Sequence, residues 1–512
     1  MPDRSTKTDF FILTGLSLLL LLYHMILSTL ASYGYFIDEL YYIACSKRLA
    51  FGYIDHPPLS ILLLALNRWI LGDSIPAIRF LPALGVAGTV FLTGLITRRF
   101  GGSRTAMIIA ALAVIVMPIY LLMGSFYSMN AFEPAIWAAI IYCMIRLVQE
   151  ENTKYWIVIG LLMGTGLEMK HTLMVYIAAL LFGLLLTGNR RFLWNRWFIY
   201  GMLCCLLLLV PNLAWQYLHG FPSLEFYHNA MINKNIPTSP LHIVFDQMLF
   251  ANPLAFPLWI AGLAFIFLSP DMKKYRFLGW AYLPLLAMMI ASASSRPDRI
   301  AAMYTVLFAA GAVAIDRLRH PSIQRSAAIL MIAMLIIGGI LFTPITTPLL
   351  PPSVVKQYIS ALGLSFNLES GKKDEPVPQW LADRLGWYEL ASDVARVCQT
   401  LSEDEKRNSI IISTNYGEAG ALELFGPGFH LPPVYATHNN YHLWGPPPDS
   451  IRTYIAVFVN RDDLDKMFDH VIEARIHTCK NCTRQQQQIP IYIARGPRFS
   501  VTTEWPKVKS YN

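Results

Sequence analysis

Long apolar runs separated by short charged joins dominate the first two thirds of the chain. Runs of roughly 20 mainly apolar residues are what a bilayer-crossing helix requires. Such runs, some of them short, fall at 10–30, 76–97, 105–123, 131–148, 155–169, 171–187, 198–215, 253–269, 277–293, 300–316 and 326–345, giving eleven candidate spans. Counting from a cytoplasmic start at Arg4 and Lys7, every second join carries arginine or lysine: Arg98, Arg99 and Arg104; Arg146 and Lys154; Arg190, Arg191 and Arg196; Lys273, Lys274 and Arg276; Arg317, Arg319 and Arg325. Basic residues accumulate on the cytoplasmic side of membrane proteins. The pattern therefore predicts an odd number of spans and a tail on the far side. It also splits 155–187 into two spans meeting at Lys170, because a single span would put every later basic join on the wrong side.

Beyond residue 350 the pattern changes. Asn408–Ser413 and Tyr454–Val459 read as buried β-branched strands, and Tyr416–Phe425 and Asp462–His470 as helices. This alternation predicts a small α/β domain with a partly parallel sheet over 351–512. It would follow a transmembrane domain over 1–350, with a functional first outer loop at 31–75. The proline-rich stretch 344–352 reads as a stiff linker.

Composition narrows the class. The chain has 512 residues, of which 55% are hydrophobic and only 14% charged. A soluble protein carries about 25% charged residues, so a polytopic membrane protein is the class that remains. The net charge of +8 sits in the joins, which points to membrane topology and not to nucleic acid. The first run is too long for a secretory leader's apolar core of about 7–15 residues and reads as a retained span. The pair Cys479 and Cys482 reads as a local disulfide on an oxidising face, since two cysteines do not make a zinc site.

Candidate chemistry concentrates in the first outer loop, where Asp38, Glu39, Tyr41, Tyr42, Asp55 and His56 fall within two dozen residues. Asp38 reads either as a reactive carboxylate or as a helix cap. The turn Asp55-His56-Pro57-Pro58 has two prolines that fix its backbone. Lys170, Arg296 and Arg299 lie at other outer joins; they read either as cations for an anionic group or, for Lys170, as a lysine snorkelling to the interface and, for the arginines, as a solvated loop with an Arg–Asp pair at Asp298. In the next outer join Asn130 and Glu133 stand about one helical turn apart, Asn130 reading either as a ligand contact or as a cap.

The pattern from Asp38-Glu39 through Gly52-Tyr53-Ile54-Asp55-His56-Pro57-Pro58-Leu59 resembles the signature of the dolichyl-phosphate-mannose protein mannosyltransferase and aminoarabinose transferase superfamily, membrane glycosyltransferases of the GT-C class. Arg79-Phe80-Leu81-Pro82, the stretch Gly160 to Lys170, Pro211-Asn212, Asn252-Pro253, Asn415-Tyr416-Gly417 and His438-Asn439-Asn440-Tyr441 fit the same resemblance. It implies a mainly α membrane protein: a GT-C-type bundle of about eleven transmembrane helices followed by an extracytoplasmic α/β domain, in the plasma (inner) membrane. It implies a polyprenyl-phosphate-linked sugar as donor, a lipid, glycan or protein acceptor, and inversion at the sugar. By position Asp38 is then the catalytic base, with Glu39 beside it. His56 stands where some relatives have a phosphate-binding lysine, and joins Lys170, Arg296 and Arg299 as donor-phosphate contacts. Tyr41, Tyr42, Asp55, Asn130 and Glu133 are expected at the substrate. No cofactor is required by this chemistry, although Asp55 and His56 together could begin a divalent-metal site. A transporter or flippase of lipid-linked sugar and a non-catalytic assembly protein are the competing readings.

Overall fold

The computed structural model describes residues 4–293, 296–366, 369, 375 and 377–512; the side chain of Arg4 lies outside the described ones. Among the described residues, six helices are long and apolar enough to cross a membrane: Lys7–Leu30, Ile75–Arg99, Met129–Glu150, Arg196–Leu218, Pro297–Asp316 and Pro321–Thr346. Pro240–Phe250 and Pro253–Leu268 form a seventh, broken unit bent by 96°. The eleven expected spans are thus not all found at full length, and the reason is local. The run 105–123 breaks after Arg104–Ile115, ahead of Pro118, which starts a separate short helix. A proline lacks the N–H that would continue the ladder. The run 277–293 is one helix of 16 residues, Arg276–Ala291, about 24 Å at 1.5 Å per residue. The segment 155–187 is two helices, Tyr155–Met169 and Leu173–Leu185, parted at Lys170, as the charge pattern requires.

The bundle packs through small residues where helices cross. An added Cβ on Gly160 would collide with the Gly201 backbone, and one on Gly201 with that of Trp156. Gly262 and Gly311 bring Phe256–Leu268 and Tyr304–Asp316 together in the same way. Without a hydrophobic force between helices in lipid, such close van der Waals approach is what holds them.

The C-terminal region folds around one five-stranded sheet: β1 Ser409–Ser413, β2 Val434–Ala436, β3 Thr453–Val457, β4 Phe468–Thr478 and β5 Gln488–Pro497, in the order β2-β1-β3-β5-β4. β1 runs parallel to both β2 and β3, while β5 is antiparallel to β3 and β4. The partly parallel sheet and its two expected strands are present. The β4–β5 hairpin is additional. β4 is an edge strand with mostly exposed side chains, so it lacks the apolar run that marks a buried strand. The expected helix 462–470 stops at Met467, where β4 begins. In place of a stiff linker over 344–352, the helix Pro321–Thr346 continues through Pro344 and a further helix, Pro352–Leu362, follows a short break. Cys479 and Cys482 are disulfide-bonded at the end of β4 and pack on Gly386, which has a positive φ of 82° and no room for a Cβ.

The segment between bundle and sheet is stitched to the first loop. Gly34 N–H donates to the Arg384 carbonyl at 3.0 Å and Ile37 N–H to that of Asp383 at 3.0 Å. Arg384 is 1% exposed and donates to the carbonyl and hydroxyl oxygens of Ser125 at 2.9 and 2.7 Å. These bonds set where the helix after the loop begins.

Candidate active site

The helix Ile37–Ser46 starts immediately after Phe36 and carries both acids in its first turn. Neighbouring residues on a helix point about 100° apart, and the two carboxylates have opposite fates. Glu39 is fully buried. Its Oε2 accepts the Phe36 N–H at 2.7 Å, its Oε1 accepts the Tyr127 N–H at 2.8 Å, and Arg79 donates to both oxygens at 2.9 and 2.8 Å. The capping role open to Asp38 therefore falls to Glu39, whose carboxylate is occupied by this scaffold. Asp38 is half-buried and faces a cavity of about 310 Å³.

Five parts of the chain wall this cavity. The first loop gives Asp38, Tyr42 and Asp55; the middle joins give Ser128, Asn130, Lys170 and Thr172; the segment 226–235 gives Tyr227 and Lys234; and 296–299 gives Arg296, Asp298 and Arg299. The C-terminal region adds Glu369, Asp383, Tyr416 and Asn439. Seven of the residues singled out from sequence thus share one cavity: Asp38, Tyr42, Asp55, Asn130, Lys170, Arg296 and Arg299. The cap of the turn at Met129–Ala131 is Ser128 and not Asn130.

Glu39, Tyr41, His56 and Glu133 stand behind that wall. Tyr41 donates to Asp55 Oδ1 at 2.8 Å and lies 3.2 Å from Asn440 Oδ1. His56 is fully buried between Tyr42 and Tyr53, with ring centroids at 4.7 and 4.8 Å. Burial lowers its pKa, against the pull of Asp55, so it is a neutral packing group and not a cationic phosphate contact. His56 Nε2 is 3.8 Å from Asp55 Oδ1. Among the described residues no third His, Cys, Asp or Glu joins them to form a metal-holding group. Glu133 is buried and accepts Lys170 Nζ at 2.8 Å and the Thr172 hydroxyl at 3.2 Å. It tethers the lysine.

The charges across the cavity are mutually arranged. Asp298 lies 4.0 Å from Lys170 and 3.5 Å from Arg296, and Arg296 meets Glu369 at 2.7 Å. Burial opposes the charge of Arg296, but Asp298 and Glu369 outweigh it and hold its pKa above the ordinary value. Asp298 thus stands between Lys170 and Arg296. Arg299 contacts Met231 Sδ at 3.5 Å. Lys234 makes no ion pair among the described residues and lies 5.9 Å from the Phe226 ring.

Asp38 lies in this field as well. Burial raises its pKa to about 6; a hydrogen bond from Tyr416 and the charge of Lys234 pull it down, while Glu369 and Asp383 push it up. A carboxylate with that value is ionised at neutral pH and basic enough to take a proton. Sequence reasoning missed Tyr416, Lys234, Asp298, Glu369 and Asp383 as cavity residues. Tyr416 lay in a motif already singled out, Asn415-Tyr416-Gly417, and Asp298 in the outer join between Arg296 and Arg299; Lys234, Glu369 and Asp383 have no local pattern and meet the others through folding alone.

Residues 55–215 match the family model of dolichyl-phosphate-mannose-protein mannosyltransferases. No curated protein matches the chain by sequence. Among solved structures, ArnT from Cupriavidus metallidurans bound to undecaprenyl phosphate aligns with a TM-score of 0.61 at 14% identity, over 94% of this chain and 97% of that one. The same protein in the apo state gives 0.58 at 13%, with the same coverage. The arabinofuranosyltransferase AftD from Mycobacteria gives 0.51 at 13%, over 95% of this chain and 40% of that one. At such identities the likeness is one of fold. The resemblance drawn from the first-loop motif is borne out by the family match and by this shared architecture.

Proposed function

We propose that this protein is an integral-membrane glycosyltransferase that moves a sugar from a polyprenyl-phosphate donor to an acceptor hydroxyl on the non-cytoplasmic face, with inversion. The observation that carries the reading is a half-buried Asp38 sharing one cavity with Lys170, Lys234, Arg296 and Arg299. The family match over 55–215 and the solved relative bound to undecaprenyl phosphate support the donor class. The basic joins support the orientation, with the first loop and the C-terminal domain opposite the cytoplasm.

In this mechanism the acceptor O–H loses its proton to Asp38 as its oxygen bonds to the anomeric carbon. The bond from that carbon to the phosphate oxygen breaks, and its electron pair stays on the phosphate. Attack opposite the leaving group inverts the centre. The leaving phosphate is already a weak base, so it needs cations and no general acid. Lys234 and Arg299 are the cations least engaged by carboxylates and make the first contacts. Lys170 and Arg296 follow by exchanging part of their bonds to Glu133, Asp298 and Glu369. Tyr42, Asp55 and Asn130 offer hydrogen bonds to the sugar.

The test is turnover by purified protein of a panel of undecaprenyl-phosphate sugars carrying a radiolabel. Release of undecaprenyl phosphate with transfer of label, lost in Asp38→Asn, is expected. Label crossing a vesicle membrane without transfer would mark a transporter. Function that survives loss of the first-loop carboxylates would mark an assembly protein.

A further inference from the structure

The C-terminal domain contributes directly to the cavity through Tyr416, at the start of the helix Tyr416–Phe429, which packs against the helix Ile37–Ser46. An added Cβ on Gly420 would collide with Leu40, and one on Gly417 with Ile37, so the two helices cannot move apart without opening the site. The Tyr416 hydroxyl donates to Asp38 Oδ1 at 2.9 Å. The Tyr416 ring lies between Tyr41 and His438, both at 4.8 Å between centroids. Its backbone N–H donates to His438 Nδ1 at 3.4 Å, and His438 Nε2 lies 3.0 Å from the Asn512 carbonyl. That backbone bond makes Nδ1 the acceptor and leaves Nε2 as the donor. Tyr41 is fixed in turn by Asp55 and by the Asn440 N–H. The hydroxyl is therefore held from both sides by elements of the two domains.

We propose that Tyr416 is a positioning residue for Asp38: its hydroxyl fixes Oδ1 of the carboxylate and leaves Oδ2 to receive the acceptor's proton. The inference rests on Asp38 being the base. Among the described residues Oδ2 takes no hydrogen bond. A donor hydrogen bond stabilises the ionised carboxylate. The other groups acting on Asp38 are Lys234, which favours its charge, and Glu369 and Asp383, which oppose it. Asp38 in turn bears on Arg296 across the cavity and on Tyr42 of its own helix. Tyr416 is the group that acts by direct contact, and it comes from the other domain.

The test is an infrared titration of the full-length protein in nanodiscs without donor. The protonated-carboxyl band of Asp38 is assigned by its loss in Asp38→Asn. Tyr416→Phe is expected to raise the midpoint by about one pH unit. Site-specific 3,5-difluorotyrosine at 416, a stronger donor of the same shape, is expected to lower it. Tyr441→Phe, which removes a hydroxyl bonded to Glu423 in the same interface, serves as control and leaves the midpoint in place. An unchanged midpoint in both Tyr416 variants overturns the proposal, and the fluorinated protein decides alone if Tyr416→Phe does not fold. Full turnover by Asp38→Asn would instead overturn the base assignment, and with it this inference, whatever the titration shows.

Discussion

At the level of single residues, two adjacent acids separate into a cavity-facing carboxylate and a buried scaffold. Asp38→Asn keeps shape and hydrogen bonding but cannot accept a proton; turnover is expected to fall roughly 10²–10⁴-fold, with membrane insertion unchanged by fractionation. Because Asp38 titrates near 6, the basic form is present above that pH. Turnover should therefore decline as pH falls through about 6, and the limb should vanish from the residual rate of Asp38→Asn. Arg79→Ala leaves Glu39 buried and unpaired, a change that costs about 3–5 kcal/mol; a lowered melting temperature and poor yield are expected, unlike the folded but inactive Asp38→Asn. The sequence could place Asp38 and Glu39 side by side. It could not say which would meet Arg79, because that arginine arrives from another helix and the choice depends on the rotation of the first turn.

At the level of elements, long apolar runs mark the long helices of the bundle but not Pro58–Leu71, Pro222–Asn233 or Pro240–Phe250, and the basic joins divide 155–187 into two helices at Lys170. Length is less legible. Whether a run becomes one straight span depends on prolines such as Pro118 and on bends such as the one at Asn252, where the backbone takes a positive φ of 74°. The β4–β5 hairpin escaped notice since exposed edge strands alternate too weakly to stand out. Helix crossing depends on glycines whose partners are distant in sequence. Gly201→Val is expected to destabilise the bundle by about 1–3 kcal/mol or more, through overpacking against Trp156, read as a lower melting temperature without a change in pH profile.

For the whole molecule, the charge asymmetry is the most legible property of the chain. On a cysteine-free background, Arg191→Cys should react with a membrane-impermeant maleimide only after the cells are opened, and Lys466→Cys in intact cells. Both native side chains are exposed, at 60% and 73%, so accessibility does not confound the comparison. Labelling of both positions from the same side would reject the orientation. The coming together of five parts of the chain in the cavity at Asp38 was not legible, because no local pattern encodes a cavity that closes only when both domains are folded.

The stitching of Gly34 and Ile37 to Arg384 and Asp383 has a biosynthetic consequence. The ribosome makes the acid-bearing loop first and its anchors much later. A nascent polypeptide therefore cannot assemble the proposed centre until Asp383 and Arg384 have been made and brought back to the loop.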